Sequence, residues 1–465
     1  MGHRRFRRVG SVKWPSGVPG GVTSRVRRAG AFAQLSLLSL GAPVLGAATA
    51  VPFAAIGVAA AVLIDDGPLF ELFARPGDRQ DGRLNGLAGF GFAAAGLALL
   101  LALPQAALPA EIFVAALLLL GVGNLTTEVI RTRSNNPFFA VAGFVGGGVP
   151  AAIAGQAVVA VAVDEPIAWS AVSFLAVIGA LIAALLRELL YERDDPVVVL
   201  SVGLASWFVA ALVGSVPTVE LVAAVVVTVV LGGISYGLGT ANVSGMLTGI
   251  LLGVLTIVLG GFGWFAVLIA FFAIGGLASK FRYDRKAARG VAEDNDGARG
   301  MSNVLANSGV ALLAVIAAAA GELVEPATIV SLAVPFAFAG SLSTALGDTL
   351  SSEIGCLYDN PRLITTFERV DPGTDGAVTW QGELAGLVGI GIISTLSAAT
   401  LPLGPSSSIT GLAAVIVAAG GLVGITADSV LGATIEGDRL GNQLVNFCAT
   451  LTGGVVSVAL AVVLL

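Results

Sequence analysis

Apolar stretches of roughly 18–25 residues recur along this chain from residue 31 to residue 465, each long enough to cross a ~30 Å hydrocarbon core as a helix. Only 12% of its 465 residues are charged and 56% are hydrophobic, with a mean hydropathy of +0.93. Lipid offers no partner to a bare peptide group, so such segments must satisfy their hydrogen bonds internally. The expected fold is therefore all-α, a polytopic transmembrane helical bundle. Spans are expected near 31–48, 51–64, 84–103, 111–130, 138–163, 167–190 and 197–214. Further spans are expected near 219–238, 243–259, 262–279, 302–320, 327–346, 380–400, 409–427 and 441–464. The total is about fifteen, or one fewer if the first pair is a single long helix. The 62 glycines suit this reading, because small residues let membrane helices approach closely, as in Gly143-Phe144-Val145-Gly146-Gly147-Gly148.

Several chemistries are excluded at once. Two cysteines, Cys356 and Cys448, cannot make a disulfide framework, and the single histidine, His3, can supply neither a histidine metal site nor a Ser-His-Asp triad. A net charge of −6 and a pI near 5.0 argue against nucleic acid as a partner. No Gly-rich loop ends in Gly-Lys-Ser or Gly-Lys-Thr, so a P-loop nucleotide site is absent.

The basic residues predict the topology. When the spans alternate sides, Arg75, Arg79, Arg83, Arg131, Arg133, Arg187, Arg193, the 280–299 loop, Arg362, Arg369 and Arg439 all fall on one face. By the positive-inside rule that face is cytoplasmic, which puts the N-terminus in the cytoplasm and the C-terminus outside a cell membrane. The chain divides into a basic tail over 1–30, an N-terminal membrane half over 31–231 and a C-terminal membrane domain over 232–465. His3-Arg4-Arg5-Phe6-Arg7-Arg8 and Arg25-Val26-Arg27-Arg28 in the tail suit anionic lipid head groups, or serve only as a topological signal.

A carboxylate in so apolar a chain is expensive, so intramembrane or membrane-edge ionisable groups are functional candidates by default. They concentrate in the last third: Gly347-Asp348-Thr349-Leu350-Ser351-Ser352-Glu353-Ile354-Gly355, Pro361-Arg362-Leu363-Ile364-Thr365-Thr366, and Thr379-Trp380-Gln381-Gly382-Glu383. Asp428, Ser429, Glu436, Asp438 and Arg439 fall at the same predicted face, with Asn242, Asn303, Asn307, Asn442 and Asn446. Carboxylates of this kind suit Mg²⁺, which shares them with substrate phosphates, while Arg, Ser and Thr donors hold phosphate oxygens. The expected catalytic set is Asp348, Glu353 and Asp428, with Asp348 and Asp428 as metal ligands. The expected substrate-binding set is Ser351, Ser352, Arg362, Thr365, Thr366, Arg369, Thr379, Glu383, Ser429, Asn303, Asn307 and Asn446.

These motifs also carry a resemblance. Phe281-Arg282-Tyr283, Asn303-Val304-Leu305-Ala306-Asn307, the 347–355 and 361–366 segments, Gly373-Thr374-Asp375-Gly376, Ala427-Asp428-Ser429-Val430-Leu431-Gly432-Ala433 and Asn446 occur in the order found in the transmembrane protein nineteen family. The similarity covers roughly residues 232–465. That family, largely of unknown function, includes the plant phytyl-phosphate kinase of the vitamin E pathway, so the resemblance implies a lipid-phosphate kinase. The 347–355 segment is also similar to the Gly-Asp-x-x-Ala-x-x-x-Gly motif of CTP-dependent dolichol kinases and CDP-diacylglycerol synthases. Residues 379–386 resemble their Lys-Thr-x-Glu-Gly-x-x-Ala-Gly motif, with Val378 in place of the lysine and Gln381 in place of the glutamate. This second resemblance implies that Asp348 ligates Mg²⁺ and that Arg362 or Arg369 replaces the missing lysine.

Two function classes follow, with a structural alternative. One is a Mg²⁺-dependent phosphotransferase that uses CTP or another nucleotide on a polyprenyl alcohol or polyprenyl phosphate. The other is a transporter or flippase, whose carboxylates would couple to ions and whose halves would rock. In the structural alternative the polar residues are helix caps and snorkelling anchors. In the N-terminal half, Asn124-Leu125-Thr126-Thr127-Glu128-Val129-Ile130 and Asn135-Asn136-Pro137 echo the 348–354 segment and Asp359-Asn360-Pro361, through a decayed duplication or through chance.

Overall fold

The structure, a computed structural model, describes residues 22–190, 195–214, 216–292, 295–324, 329–404, 410–436 and 440–465. His3-Arg4-Arg5-Phe6-Arg7-Arg8, Arg193, Asp438 and Arg439 lie outside the described residues. Among the described residues the chain is all-α apart from one two-stranded hairpin, and it forms two compact units. One unit comprises residues 1–166 and 190–203, the other 167–189 and 204–465.

The first unit contains α1 (Val22–Ser36), the short α2 (Ala42–Leu45), α3 (Ala50–Val58), α4 (Gly67–Phe73), α5 (Pro76–Asp81), α6 (Asn85–Leu99), α7 (Ala110–Arg131) and α8 (Pro137–Ala162). The two spans expected at 31–48 and 51–64 fall within one apolar stretch, Ser24–Leu63. Gly41, Pro43, Gly46 and Pro52 break that stretch into short helical pieces, and Gly46 turns the chain at φ +53°. Phenylalanines form the core here, with Phe32, Phe73, Phe90, Phe53 and Phe113 in edge-to-face contact at 5.4–6.3 Å. A buried ion pair at 2.5 Å joins Arg75 to Asp195 at the start of the later helix Asp195–Leu212.

The second unit opens with α9 (Trp169–Leu189), and the end of α10 (Asp195–Leu212) leads into it. It continues through α11 (Thr218–Gly237), α12 (Val243–Gly260), α13 (Phe262–Lys280), the short α14 (Tyr283–Arg289), α15 (Met301–Val324) and α16 (Ile329–Gly355). After the hairpin β1 (Arg362–Leu363) and β2 (Ala377–Val378) come α17 (Trp380–Thr400), α18 (Thr410–Ile435) and α19 (Asn442–Leu464). Its boundary lies upstream of the one expected at 231, because α9 packs against α12 and α11. Among the described residues 13 stretches are long and apolar enough to span a membrane. The 27-residue α16 is a further helix of sufficient length, about 40 Å at 1.5 Å per residue. The expected fifteen is thus reduced chiefly by the merged first pair.

The axis of this unit is α16, buried among α13, α15, α17, α18 and α19. Phe336, Phe338, Leu342 and Leu346 are fully buried on it, and Trp264 of α13 packs against Phe338 with ring centroids 4.7 Å apart and ring planes tilted by 56°. Glycines bring α17 against its backbone. A Cβ on Gly382 would lie 2.7 Å from the Ser351 carbonyl, and one on Gly386 would lie 3.0 Å from that of Gly347. This close approach fixes the height at which the polar end of α16 meets the first turn of α17. Gly386→Leu should therefore force the helices apart and lower thermal stability by an overpacking cost of about 1–3 kcal/mol or more. Gly391→Leu on the same helix, where a Cβ meets nothing within 4 Å, should melt like wild type in detergent. Equal melting temperatures for all three proteins would show that the glycine contact does not hold α17.

Candidate functional site

Five long helices bring ends to one place in the second unit. The C-terminal ends of α16 and α18 meet the N-terminal ends of α15, α17 and α19 around a polar cavity of about 440 Å³. Its wall includes Asp348, Ser351, Ser352, Glu353, Thr379, Asp428, Ser429, Asn303, Asn307 and Asn446 from the expected set. Arg362, Thr365, Thr366, Arg369 and Glu383 are not part of that wall.

Asp348 and Asp428 are the two ends of this convergence. Their carboxyl groups lie within hydrogen-bonding reach of each other although they come from different helices. Among the described residues the second Asp428 oxygen, Oδ1, has no hydrogen-bond partner, and neither does Asn303 Oδ1 or Glu353 Oε1. Each aspartate sits about two turns before the last residue of its helix, Gly355 or Ile435. A capping role does not explain them, because helix C-termini carry negative dipole ends and favour cations over carboxylates.

Glu353 is placed differently. Its Oε2 accepts from Lys286 Nζ in a buried ion pair, with side-chain exposures of 8% and 1%. Lys286 also donates to the Ala278 and Ser279 carbonyls at 2.9 and 3.3 Å, so it caps the last turn of α13 while tying α14 to α16. Arg299 is also buried, at 6% exposure, and lines the cavity. One of its guanidinium nitrogens donates to Ser279 Oγ at 3.4 Å, and its centre stands 5.6 Å from the Phe271 ring. Of the basic residues, Arg299 lines the cavity, whereas Arg362 and Arg369 lie outside its wall. Arg362 is exposed on β1 and donates to the Phe367 carbonyl at 2.6 Å, while Arg369 bridges back to it. Thr366 accepts from the Glu368 amide within the same loop, and Thr365 is exposed beside it.

The remaining groups are partly structural. Thr379 is the N-cap of α17 and accepts from the Gly382 amide at 3.1 Å. Glu383, one turn on, accepts from Ser351 Oγ at 3.4 Å and so ties α17 to the polar end of α16. Asn307 donates to the Asn303 backbone carbonyl at 3.0 Å, and Asn303 Oδ1 is buried without a hydrogen-bond partner. The segment 373–376 closes one side. Gly376, at φ +72°, sits so close to α18 that a Cβ would lie 2.4 Å from the Ser429 carbonyl, and this seats Asp375 at the cavity wall.

The sequence offers the 280–300 loop, with Lys286 among its cations, either as a membrane-side linker or as a source of cations for phosphates, and singles out neither Lys286 nor Arg299 as a site residue. Asp375 belonged to a quoted motif, and Glu436 and Asn442 to the predicted polar face, yet none was assigned a role. All three line the cavity. Cys356 lines it too, and burial pushes its thiol above the usual range, which leaves it poorly ionised as a nucleophile.

The donor set suits a hard divalent cation. Among the described residues no cluster of three or more His, Cys, Asp or Glu side chains is arranged for a metal. The paired aspartates with partnerless carbonyl and carboxylate oxygens match Mg²⁺ instead, which takes one or two carboxylates and completes its shell with water and phosphate oxygens.

Glu436, just past α18, is pushed up to about 7 from its usual 4.5 by burial, and further by the nearby Asp375 and Asp428 charges. A carboxyl so raised binds more protons in the folded than in the unfolded chain between those values. Its contribution to stability is therefore present at low pH and lost as pH rises from about 4.5 through about 7. Glu436→Gln should lose less melting temperature than wild type between pH 5 and pH 8, and equal losses would assign the dependence to other groups.

Comparison with known proteins places this unit. The model of the family described as integral membrane protein DUF92 matches residues 226–454, which include the whole cavity wall. An uncharacterized membrane protein of Methanocaldococcus jannaschii is 36% identical over 203 residues, covering 43% of this chain and 76% of that protein. Protein PGR of Arabidopsis thaliana is 34% identical over 233 residues, covering 47% of this chain and 80% of its own length. The Arabidopsis protein VTE6, chloroplastic, is 31% identical over 229 residues, covering 47% and 64%. No solved structure matches the chain.

Proposed function

This chain belongs to the DUF92 family of integral membrane proteins, and from that premise we propose that its second unit is a Mg²⁺-dependent phosphotransferase. The donor is CTP or another nucleotide, and the acceptor is a polyprenyl alcohol or polyprenyl monophosphate. One observation carries the reading: two carboxylates far apart in the chain, Asp348 and Asp428, meet in a polar cavity at the ends of otherwise apolar helices. Their neighbours Arg299, Asn303, Asn307, Asn446, Ser352 and Ser429 are of the types that bind phosphate and nucleotide oxygens. The resemblance of the same segments to lipid-phosphate kinases points to the same chemistry.

The roles follow from placement. Asp348 and Asp428 hold Mg²⁺, with Asn303 Oδ1 within the same wall. The cation, when bound, neutralises charge that develops on the transferring phosphoryl group. Arg299 offers a planar fork of donors to phosphate oxygens. Ser429 supplies a neutral donor, and the Ser351 and Ser352 hydroxyls would do so only by turning from Glu383 and the Thr349 carbonyl. Glu353, through the Lys286 ion pair, fixes the end of α16 at the cavity wall. The transfer replaces the bond between the terminal phosphorus and its bridging oxygen by a bond to the acceptor oxygen, and the nucleoside diphosphate leaves. Arg362, Thr365, Thr366 and Arg369, on the exposed hairpin loop, would reach a bound nucleotide only from outside the cavity.

We place the cavity on the cytoplasmic side of a cell membrane, with the N-terminus on that side and the C-terminus opposite, because the Arg-rich loops gather there. A cavity at helix ends suits an enzyme fed with soluble nucleotide and membrane lipid better than a carrier, whose site sits near the bilayer midplane. The test is transfer from labelled CTP to geranylgeranyl monophosphate by the purified protein. Asp348→Asn should abolish Mg²⁺-dependent transfer while the protein still inserts and folds, because the amide keeps the volume but loses the charge that holds a hard cation. Wild-type activity in that variant at saturating Mg²⁺ would remove Asp348 from the catalytic set.

A further inference from the structure

Arg299 lines two further cavities besides the polar one. One is a narrow cleft of about 70 Å³ walled by α11, α12 and α13, with Leu231, Met246, Phe265, Leu268 and Phe272 among its side chains. The hydroxyls in its wall are already engaged, Ser235 Oγ pairing with Thr240 Oγ1 at 2.7 Å. Thr228 donates to the Ala224 carbonyl at 2.7 Å, and Thr240 donates to that of Ser235 at 3.0 Å. Apart from the Arg299 end, what faces the space is mostly hydrocarbon, and a water in its body would lack the two to four polar partners that hold one.

The cleft is a built gap between packed helices. On either side of it the walls touch. A Cβ on Gly253 would lie 2.6 Å from the Thr228 methyl, and one on Gly232 would lie 2.6 Å from Ile250. Between these contacts Gly249 faces open space, with nothing within 4 Å of where its Cβ would stand. The outer face of α11 is a row of exposed Val222, Val226, Val229, Val230 and Ile234, which suits lipid. The cleft thus has an apolar body, a membrane-compatible flank and one buried guanidinium at the end it shares with the polar cavity.

We infer that this cleft holds the first carbons of a single-chain lipid monophosphate, and that Arg299 meets the phosphate at the junction of cleft and cavity. The inference rests on reading the polar cavity as a phosphoryl-transfer site, and it adds where the acceptor lies. At roughly 30 Å³ for a water-sized group, a cleft of about 70 Å³ grips only the carbons nearest the head group. The rest of the chain runs into the bilayer beside α11. The charge complement is specific, because a guanidinium offers two parallel donors to a phosphate that a lysine would meet only as a point charge.

The experiment uses the full-length protein in nanodiscs and a geranylgeranyl monophosphate carrying a diazirine on its first isoprene unit. Photolysis should label residues between 228 and 276. Label confined to other segments overturns the inference. Gly249→Phe, which fills the cleft, should weaken binding of the probe at least tenfold. Gly233→Phe, at an exposed glycine of α11 outside the cleft, should bind like wild type. Equal binding by wild type and Gly249→Phe also overturns it, as does displacement of the probe by inorganic phosphate at the concentration at which the unlabelled lipid displaces it. Because labelling needs no nucleotide, label in the cleft without any transfer activity would sink the phosphotransferase reading and leave the cleft assigned. Transfer with label elsewhere would do the reverse.

Discussion

Two like charges side by side at the ends of buried helices are the constraint on which the second unit is built. Asp348 and Asp428 stand within hydrogen-bonding reach in a region where attraction and repulsion are poorly screened. A cation or a shared proton relieves that repulsion, and the surroundings are arranged to admit one. The cavity is polar, residues with partnerless buried oxygens line it, and the buried Lys286 stabilises the neighbouring Glu353 on the same helix end. Removing either partner of that ion pair would leave a buried charge alone, at a typical cost of about 3–5 kcal/mol.

The glycine contacts below the site make this placement possible. Where Gly382 and Gly386 lie against the Ser351 and Gly347 carbonyls, α17 cannot slide along α16 without a clash. The Thr379 cap and the hydrogen bond from Ser351 to Glu383 then hold the first turn of α17 at that height. Packing in the apolar layer therefore sets the height of the polar layer. Trp264, Phe338 and Leu342 lie in the apolar layer, so substitutions there would act on the site through the axis of α16.

Much of this was legible in the sequence for one reason: carboxylates in a chain so apolar stand out, and so do their helices. Asp348 and Asp428 were recognisable as candidates although nothing local connects them. The cations were harder to assign. Arg362 and Arg369 stand beside conspicuous motifs, but the β1–β2 hairpin turns them to its own carbonyls and strand partner. Lys286 and Arg299 lie in a loop that reads either as a linker or as a source of cations, and only the tertiary structure buries them. Hydropathy also divided the first apolar stretch in two, because Gly41, Pro43 and Gly46 look the same whether they end a span or bend one.

The N-terminal echo of the motif gains a structural counterpart within the first unit. Thr126 donates to the Gly143 carbonyl at 2.7 Å and sits against Gly147, as Ser351 sits beside Gly382 and Gly386. Glu128 is buried and paired with Arg131 at 2.8 Å, as Glu353 is with Lys286. Small-residue notches that receive a hydroxyl recur in membrane helix pairs for packing reasons alone, so this likeness does not require a shared origin. The chemical difference matters more. Asn124 stands where Asp348 stands in the motif, and an amide in that place brings no charge to be offset. A pair of helices can thus share the packing of the site without its electrostatic demand. The second unit is distinguished by adding, from α18, a second carboxylate, and with it a repulsion that a cation or a shared proton has to relieve.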